Sequence, residues 1–157
     1  MIAPDVTAVL GLFERAGISV WIGGGWGVDA LVGRQTRDHA DLDLMFDQNL
    51  EAAVIELLRP LAYSETLDWR PGRFVMSDGT RQLDLHPIEL LPDGSAVQDT
   101  HDGQRFDYPP DGFGAGTIDA HPVPCISAAL QWTFHQGYEP AAKDLHDLAL
   151  LEELLAR

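Results

Sequence analysis

Cysteine, basic side chains and long apolar runs are all scarce in this 157-residue chain, and each scarcity narrows its possible functions. The single cysteine, Cys125, excludes an internal disulfide framework and fits a reducing compartment. No apolar run has the length of a membrane span, and the first residues lack the basic and apolar segments of a secretory signal. We therefore expect a cytoplasmic protein without a membrane partner.

The shortage of positive charge bears on the substrate. The chain has 10 Lys and Arg residues against 25 Asp and Glu residues, which gives a formal net charge of −15. Binding to nucleic acid needs a basic surface against the phosphates, so we expect no nucleic-acid partner. A negative field instead steers a small cationic molecule toward the protein, although the same charge also serves solubility alone.

The order of the hydrophobic patterns predicts an α+β fold. Apolar periodicity predicts helices over residues 5–16, 26–32, 50–58 and 127–136, and a last helix that begins at Pro140. Short apolar runs predict strands over residues 18–22, 41–46, 73–77 and 81–88. We expect a small mixed sheet flanked by helices, followed by a small helical C-terminal lobe. Residues 1–91 would form the core domain, and residues 92–157 the substrate-facing loops and helices.

Two further expectations concern the C-terminal part. Residues 92–124 are rich in Gly, Pro and Asp, which predicts mostly loops. The last helix is expected to bury one apolar stripe, formed by Leu145, Leu148, Leu151 and Leu155.

The segment Asp41-Leu42-Asp43-Leu44 carries the strongest chemical signal. In a strand, alternate side chains share a face, so Asp41 and Asp43 project together while the leucines face the core. Adjacent carboxylates repel each other unless a positive charge joins them, and a hard divalent cation bound through oxygen is the usual joiner. An isolated Asp-x-Asp is more often a solvated surface, so the neighbouring motifs decide its meaning.

Two neighbouring motifs complete a constellation. The glycines Gly23, Gly24 and Gly25 lie between a strand and a helix, where backbone amides can approach a phosphate. Farther along, alternation places Asp84 and His86 on one face of the predicted strand over residues 81–88. If that strand lies beside the Asp41 strand, three carboxylates can hold two Mg²⁺ ions roughly 4 Å apart, with Asp84 also a candidate base.

Other candidate residues carry weaker signals. Arg34, Arg37 and His39 precede Asp41 and are candidates for phosphate contacts, although surface loops commonly carry such residues. Lys143, at the start of the last helix, either reaches a triphosphate or is simply solvated. Among the tryptophans, Trp69 is the best candidate for a pocket wall, because its surroundings are polar.

These motifs resemble the nucleotidyltransferase superfamily that includes DNA polymerase β. The matching segments resemble most closely the short lincosamide nucleotidyltransferases of its antibiotic-modifying branch; they are residues 21–29, 38–43, 83–88, 93–95, 124–127 and 134–138. The resemblance implies transfer of AMP from ATP to a hydroxyl of a small antibiotic, with Mg²⁺ and release of pyrophosphate. It implies that Asp41, Asp43 and Asp84 bind metal and that Gly24 and Gly25 form the phosphate turn. The superfamily often has Ser where Gly25 stands, which leaves only backbone donors here.

Two rival functions remain at this stage. The nearer is an aminoglycoside nucleotidyltransferase, since both antibiotic classes carry amines and residues 92–124 match the lincosamide enzymes only in patches. The other is a nucleotidyltransferase-fold antitoxin that acts on or binds a partner protein, which the helical C-terminal lobe and Gly25 disfavour. A homodimer is left open by the sequence.

Overall fold

The computed structural model describes residues 1–156, which form five α-helices and nine strands. The helices are α1 (Ala3–Arg15), α2 (Gly24–Val32), α3 (Glu51–Leu58), α4 (Ala128–Phe134) and α5 (Ala142–Leu155). The strands are β1 (Val20–Ile22), β2 (Asp41–Asp47), β3 (Ser64–Trp69), β4 (Arg73–Ser77), β5 (Gln82–Leu90), β6 (Ala96–Asp99), β7 (Arg105–Tyr108), β8 (Phe113–Ile118) and β9 (His121–Ile126). The predicted α+β class is confirmed. None of these helices is long and apolar enough to cross a membrane.

The central sheet has the order β3-β4-β5-β2-β1-β9-β8. Strands β2 and β5 are parallel neighbours at its centre, and β4 pairs antiparallel with β5 through the turn at Asp78 and Gly79. Along β2 and β5, Leu42, Leu44, Leu83 and Leu85 are fully buried, as their alternation with the acidic residues predicts. This central strand pair therefore combines an apolar core face with a polar face.

The prediction that residues 92–124 are mostly loops is wrong. They form β6, β7, β8 and the first part of β9, and β6 and β7 pair as a hairpin beside β5. The glycines and prolines that indicated loops have local packing reasons. A Cβ on Gly116 in β8 would lie 2.3 Å from the carbonyl oxygen of Ala30, so glycine lets α2 pack directly on the strand. Strand β9 tolerates Pro122 and Pro124 because it pairs with β1 at a single position.

Strand β3 also escaped prediction, because most of its side chains are exposed and show no apolar alternation. It forms one edge of the sheet, and β8 forms the other. Strands β8 and β9 extend the sheet built by the earlier strands, so residues on both sides of position 91 contribute to it. The division at residue 91 stays a prediction.

The core consists of two clusters. The larger joins α1 and α3 to the apolar face of the sheet, and Val6, Phe13, Val54 and Leu58 are among its fully buried members. The smaller joins the β6–β7 hairpin to α4 through Met45, Ile88, Ala96, Tyr108, Ile126 and Leu130. The second cluster packs the hairpin and α4 against β2 and β5 through Met45 and Ile88.

The predicted apolar stripe of α5 is only partly correct. Leu151 is buried, but Leu145 and Leu155 are 56% and 49% exposed. The helix instead buries two acidic side chains, Asp144 and Asp147. Polar contacts therefore direct the docking of α5, and these contacts involve the candidate functional site.

Candidate functional site

Asp43 and Asp84 lie directly opposite each other on the parallel strands β2 and β5. With His86, they form a group whose possible ligand atoms all lie within 4.8 Å of one another. Asp41 lines the same cleft but stands outside this close group. The structure therefore brings the three predicted carboxylates to one cleft and adds His86 to the nearest pair.

The environments of the paired carboxylates separate their pKa values. Burial raises the pKa of Asp43, but its hydrogen bond to His86 and the positive charges of Arg73 and Lys143 outweigh burial, so the pKa is lowered. The hydrogen bond joins Nε2 of His86 to Oδ1 of Asp43 over 3.2 Å. Asp43 is therefore the carboxylate of the pair that stays ionised most readily.

Asp84 shows the opposite shift. Burial and the negative charge of Asp43 raise its pKa, against the opposing effects of Gln82 and Arg73. Gln82 donates a 2.9 Å hydrogen bond to Asp84, and Arg73 forms a 2.9 Å ion pair with it. A carboxylate with a raised pKa is suited to accept a proton during a reaction.

The donor set of the cleft fits a hard divalent cation. Carboxylate oxygens on adjacent strands are the ligands that Mg²⁺ prefers, and a cation between them would offset the repulsion by Asp43. Burial, the larger cause of the raised pKa of Asp84, does not depend on that repulsion. This acidic cluster could therefore hold a metal ion, with Asp43 and Asp84 as the nearest pair of carboxylates.

The glycine turn is packed directly against the carboxylates. Gly24 opens α2 with a positive φ of 54°, and a Cβ there would lie 2.0 Å from Oδ2 of Asp43. A Cβ on Gly25 would lie 2.3 Å from Nη2 of Arg37 and 2.5 Å from Nδ1 of His39. The first amides of a helix have no intrahelical acceptor, so the turn presents backbone donors beside the acidic pair.

The predicted phosphate contacts fall into two groups. Arg37 and Lys143 line the cleft, whereas His39 is buried behind the glycine turn. Nε2 of His39 lies 2.5 Å from Oδ2 of Asp29, and its ring lies 4.6 Å from that of Trp26. This placement suits a residue that supports the turn from behind.

Arg37 is also committed to a partner that the sequence did not indicate. Its Nε and Nη2 groups donate to the two carboxylate oxygens of Asp147 at 2.9 and 2.6 Å. This bidentate bond to Asp147 is the main cause of the raised pKa of Arg37. Because Asp147 lies 110 residues along the chain, no local pattern could have revealed the pair.

The whole cleft has a volume of about 590 Å³ between the polar face of the sheet and the two C-terminal helices. Gln131 of α4 donates a 3.3 Å hydrogen bond to the carbonyl of Gly24, and Tyr138 and Asp144 complete the helical side. Sequence reasoning missed Arg73, Gln131, Tyr138 and Asp147 as residues of the cleft, because each depends on a distant partner or neighbour.

A second cavity of about 330 Å³ adjoins the cleft. The two share Met45, Arg73, His86 and Phe134. Its aromatic wall consists of Trp69, Phe106, Tyr108 and Phe134. Trp69, the predicted pocket residue, stacks on His101 with ring centroids 5.2 Å apart. The remaining lining comes largely from the β6–β7 hairpin, which was wrongly predicted as loop.

Comparison with known proteins gives consistent likenesses. A family model described as aminoglycoside-2''-adenylyltransferase matches residues 5–151. A lincosamide resistance protein of Staphylococcus haemolyticus is 35% identical over 93% of this chain and 91% of its own. A 2''-aminoglycoside nucleotidyltransferase of Escherichia coli is 30% identical over 80% of this chain and 68% of its own. The lincomycin-bound crystal structure of a lincosamide antibiotic adenylyltransferase has a TM-score of 0.86 and 34% identity, with 96% of both chains covered.

Proposed function

The chain belongs to the aminoglycoside-2''-adenylyltransferase family of nucleotidyltransferases, and we propose that it transfers AMP from ATP to a hydroxyl of a lincosamide. The observation that carries this proposal is the shared wall between an acidic, glycine-lined cleft and an aromatic cavity. The cleft has the donors for a metal-bound triphosphate, and the cavity has room for a small acceptor next to Asp84.

The aromatic cavity favours a lincosamide over an aminoglycoside as acceptor. Its charged side chains include Arg73 and Asp102, and its aromatic wall offers apolar surface. An aminoglycoside carries several amines and calls for several carboxylates, whereas a lincosamide combines one amine with apolar groups. The overall net charge of −15 attracts either class, so the local lining carries the distinction.

We assign each of the predicted site residues a task in this reaction. Asp41, Asp43 and Asp84 would hold Mg²⁺, and we propose two ions by analogy with paired-metal sites. When bound, the metal supplies positive charge that eases ionisation of the acceptor hydroxyl and balances the charge on pyrophosphate. The amides of Gly24 and Gly25, with Arg37 and Lys143, bind the phosphates. His39 acts through the turn that it supports.

The chemical step forms one bond and breaks one. Asp84 accepts the proton of the acceptor hydroxyl, whose oxygen then bonds to the α-phosphorus of ATP. The bond from that phosphorus to the bridging oxygen breaks, and pyrophosphate leaves. The raised pKa of Asp84 suits the proton transfer.

To test this proposal directly, the protein is incubated with ATP, Mg²⁺ and one acceptor at a time from a panel of lincosamides and aminoglycosides. Pyrophosphate release and the mass of each product are measured. We expect lincosamides to gain one adenylyl group. Silence across the whole panel, with ATP binding intact, would contradict the proposal and direct attention to other metabolites or to a protein partner.

A cytoplasmic location and a homodimer remain proposals. The cytoplasmic location agrees with the need for ATP, and cell fractionation tests it. A homodimer is tested by light scattering of the purified protein across a concentration series; a single species with the mass of one chain would exclude it.

A further inference from the structure

A chain of hydrogen bonds runs from the aromatic cavity to the carboxylate pair. The hydroxyl of Tyr108 donates to Oε1 of Gln98 at 2.7 Å, and Nε2 of Gln98 lies 3.3 Å from Nδ1 of His86. Nε2 of His86 lies 3.2 Å from Oδ1 of Asp43. Gln98 and Tyr108 are only 6% and 1% exposed, so water does not readily replace the bond between them.

The orientation of the Gln98 amide follows from a backbone group. Its Nε2 donates to the carbonyl oxygen of Gly72 at 2.5 Å, and a carbonyl can only accept. The reversed amide would place two oxygens against each other at this position. The carbonyl of Gly72 therefore directs the amide N–H groups toward Gly72 and His86, and the hydroxyl of Tyr108, which can donate or accept, is compatible with this orientation.

This orientation determines the hydrogen-bonding roles of the two His86 nitrogens. Nδ1 faces an N–H donor of Gln98, so it must accept, and the ring proton then lies on Nε2. Nε2 faces Oδ1 of Asp43 and donates to it. A protonated nitrogen cannot bind a metal, so His86 stays outside the ligand set although it lies within 4.8 Å of both carboxylates.

We propose that Gln98 and Tyr108 are positioning residues that hold the proton of His86 on Nε2, so that His86 orients the carboxylate of Asp43. Partners of this kind hold metal-binding carboxylates at one angle and raise metal affinity. Tyr108, Gln98 and His86 also line the aromatic cavity, so the acceptor and the metal site contact the same chain of residues. The consequence for turnover rests on the proposed function, whereas the position of the proton does not.

The position of the proton is measured by NMR of the ¹⁵N-labelled protein at neutral pH. The imidazole spectrum distinguishes the two tautomers, and His86→Gln assigns the signal. We expect the wild type to show protonated Nε2 and unprotonated Nδ1. Gln98→Glu presents a carboxylate, which can only accept, to Nδ1, so Nδ1 should become protonated and its signal should change. Gln48→Glu makes the same change at an exposed turn and should leave the signal unchanged. A wild-type proton on Nδ1 would overturn the proposal.

The second readout is the Mg²⁺ concentration that gives half-maximal turnover. We expect Gln98→Glu to raise it about tenfold or more, with a smaller rise for Tyr108→Phe, which removes only one hydroxyl. A positioning role would be rejected if the wild type and Tyr108→Phe had the same Mg²⁺ dependence and the His86 signal were unchanged in both Gln98→Glu and Tyr108→Phe. If the protein transfers no AMP to any acceptor, the proposed function fails while the NMR result still decides where the proton lies.

Discussion

The acidic cleft and the aromatic cavity share a wall but differ in how they are built. The cleft places Asp43 and Asp84 on two parallel strands at the centre of the sheet, with the glycine turn directly beside them. Apart from the wall shared with the cleft, the cavity takes most of its lining from β3, the β6–β7 hairpin and α4, which lie at the periphery. Central strands hold chemistry rigidly, whereas a peripheral hairpin can vary without disturbing it.

This difference suggests a division of labour. Changes in the cleft should remove transfer for every acceptor, and changes in the cavity should alter the choice and affinity of acceptor. This chain is similar both to a protein named for lincosamides and to one named for aminoglycosides, which fits such a division. The following predictions test whether the two regions separate in this way.

The largest effect is expected from the carboxylates. Asp43→Asn and Asp84→Asn each remove charge from the metal site, so kcat/KM should fall at least about a hundredfold for every acceptor. Asp41→Asn should also abolish transfer if Asp41 binds metal. Asp47→Asn, at the end of the same strand, should retain activity. Near-normal turnover by one of the cleft variants, measured by pyrophosphate release, would remove that residue from the mechanism.

Gly24→Ala should give the next largest effect. The new Cβ would lie 2.0 Å from Oδ2 of Asp43, at a positive φ. We expect turnover to fall more than about tenfold, with a stability loss of about 1–2 kcal/mol from backbone strain. Gly79→Ala has a similar positive φ but meets no atom within 4 Å, so it should lose stability alone. Urea unfolding and steady-state kinetics separate the two effects.

Trp69→Ala should affect the acceptor without affecting ATP. Trp69 lines the aromatic cavity and lies outside the cleft lining. Loss of its stacking surface should raise the KM of the acceptor about tenfold, or ~1.4 kcal/mol. Trp132→Ala, on the exposed side of α4, is the matched control. An equal rise in the KM of ATP would contradict the separation of the two regions.

Arg37→Lys should cause a moderate loss at the point where α5 meets the cleft. Lysine cannot reproduce the two parallel hydrogen bonds to Asp147, so stability should fall by about 2 kcal/mol. The KM of ATP should rise about fivefold, or ~1 kcal/mol. Arg105→Lys breaks a similar bidentate pair with Asp99, but both side chains are half-exposed, so the loss of stability should be much smaller.

Added salt should have the smallest effect. The net charge of −15 attracts a cationic acceptor, and salt screens that attraction. We expect the KM of a lincosamide to rise about twofold to threefold between low and physiological ionic strength. A KM that falls with added salt, in the same assay, would contradict steering by the protein field.

The same contrast explains what the sequence could predict. Strand alternation predicts the polar faces that carry Asp43 and Asp84, whereas their direct pairing is supplied by the structure; Gly24 follows from a local turn. By contrast, the Arg37–Asp147 pair and the bonds of Gln98 join residues far apart in the chain. Hydrophobic periodicity does not encode such pairs. In residues 92–124, Gly116 allows close packing of α2, and Pro122 and Pro124 stand in a strand that pairs with β1 at a single position; composition alone does not distinguish such residues from loops.

The most direct test of the account is a competition between lincomycin and tobramycin. Equal concentrations of both are incubated with the protein, ATP and Mg²⁺, and the products are separated by mass. We expect AMP to be attached to lincomycin and tobramycin to stay unmodified. Adenylylated tobramycin beside unmodified lincomycin would contradict the assignment of the aromatic cavity as a lincosamide site.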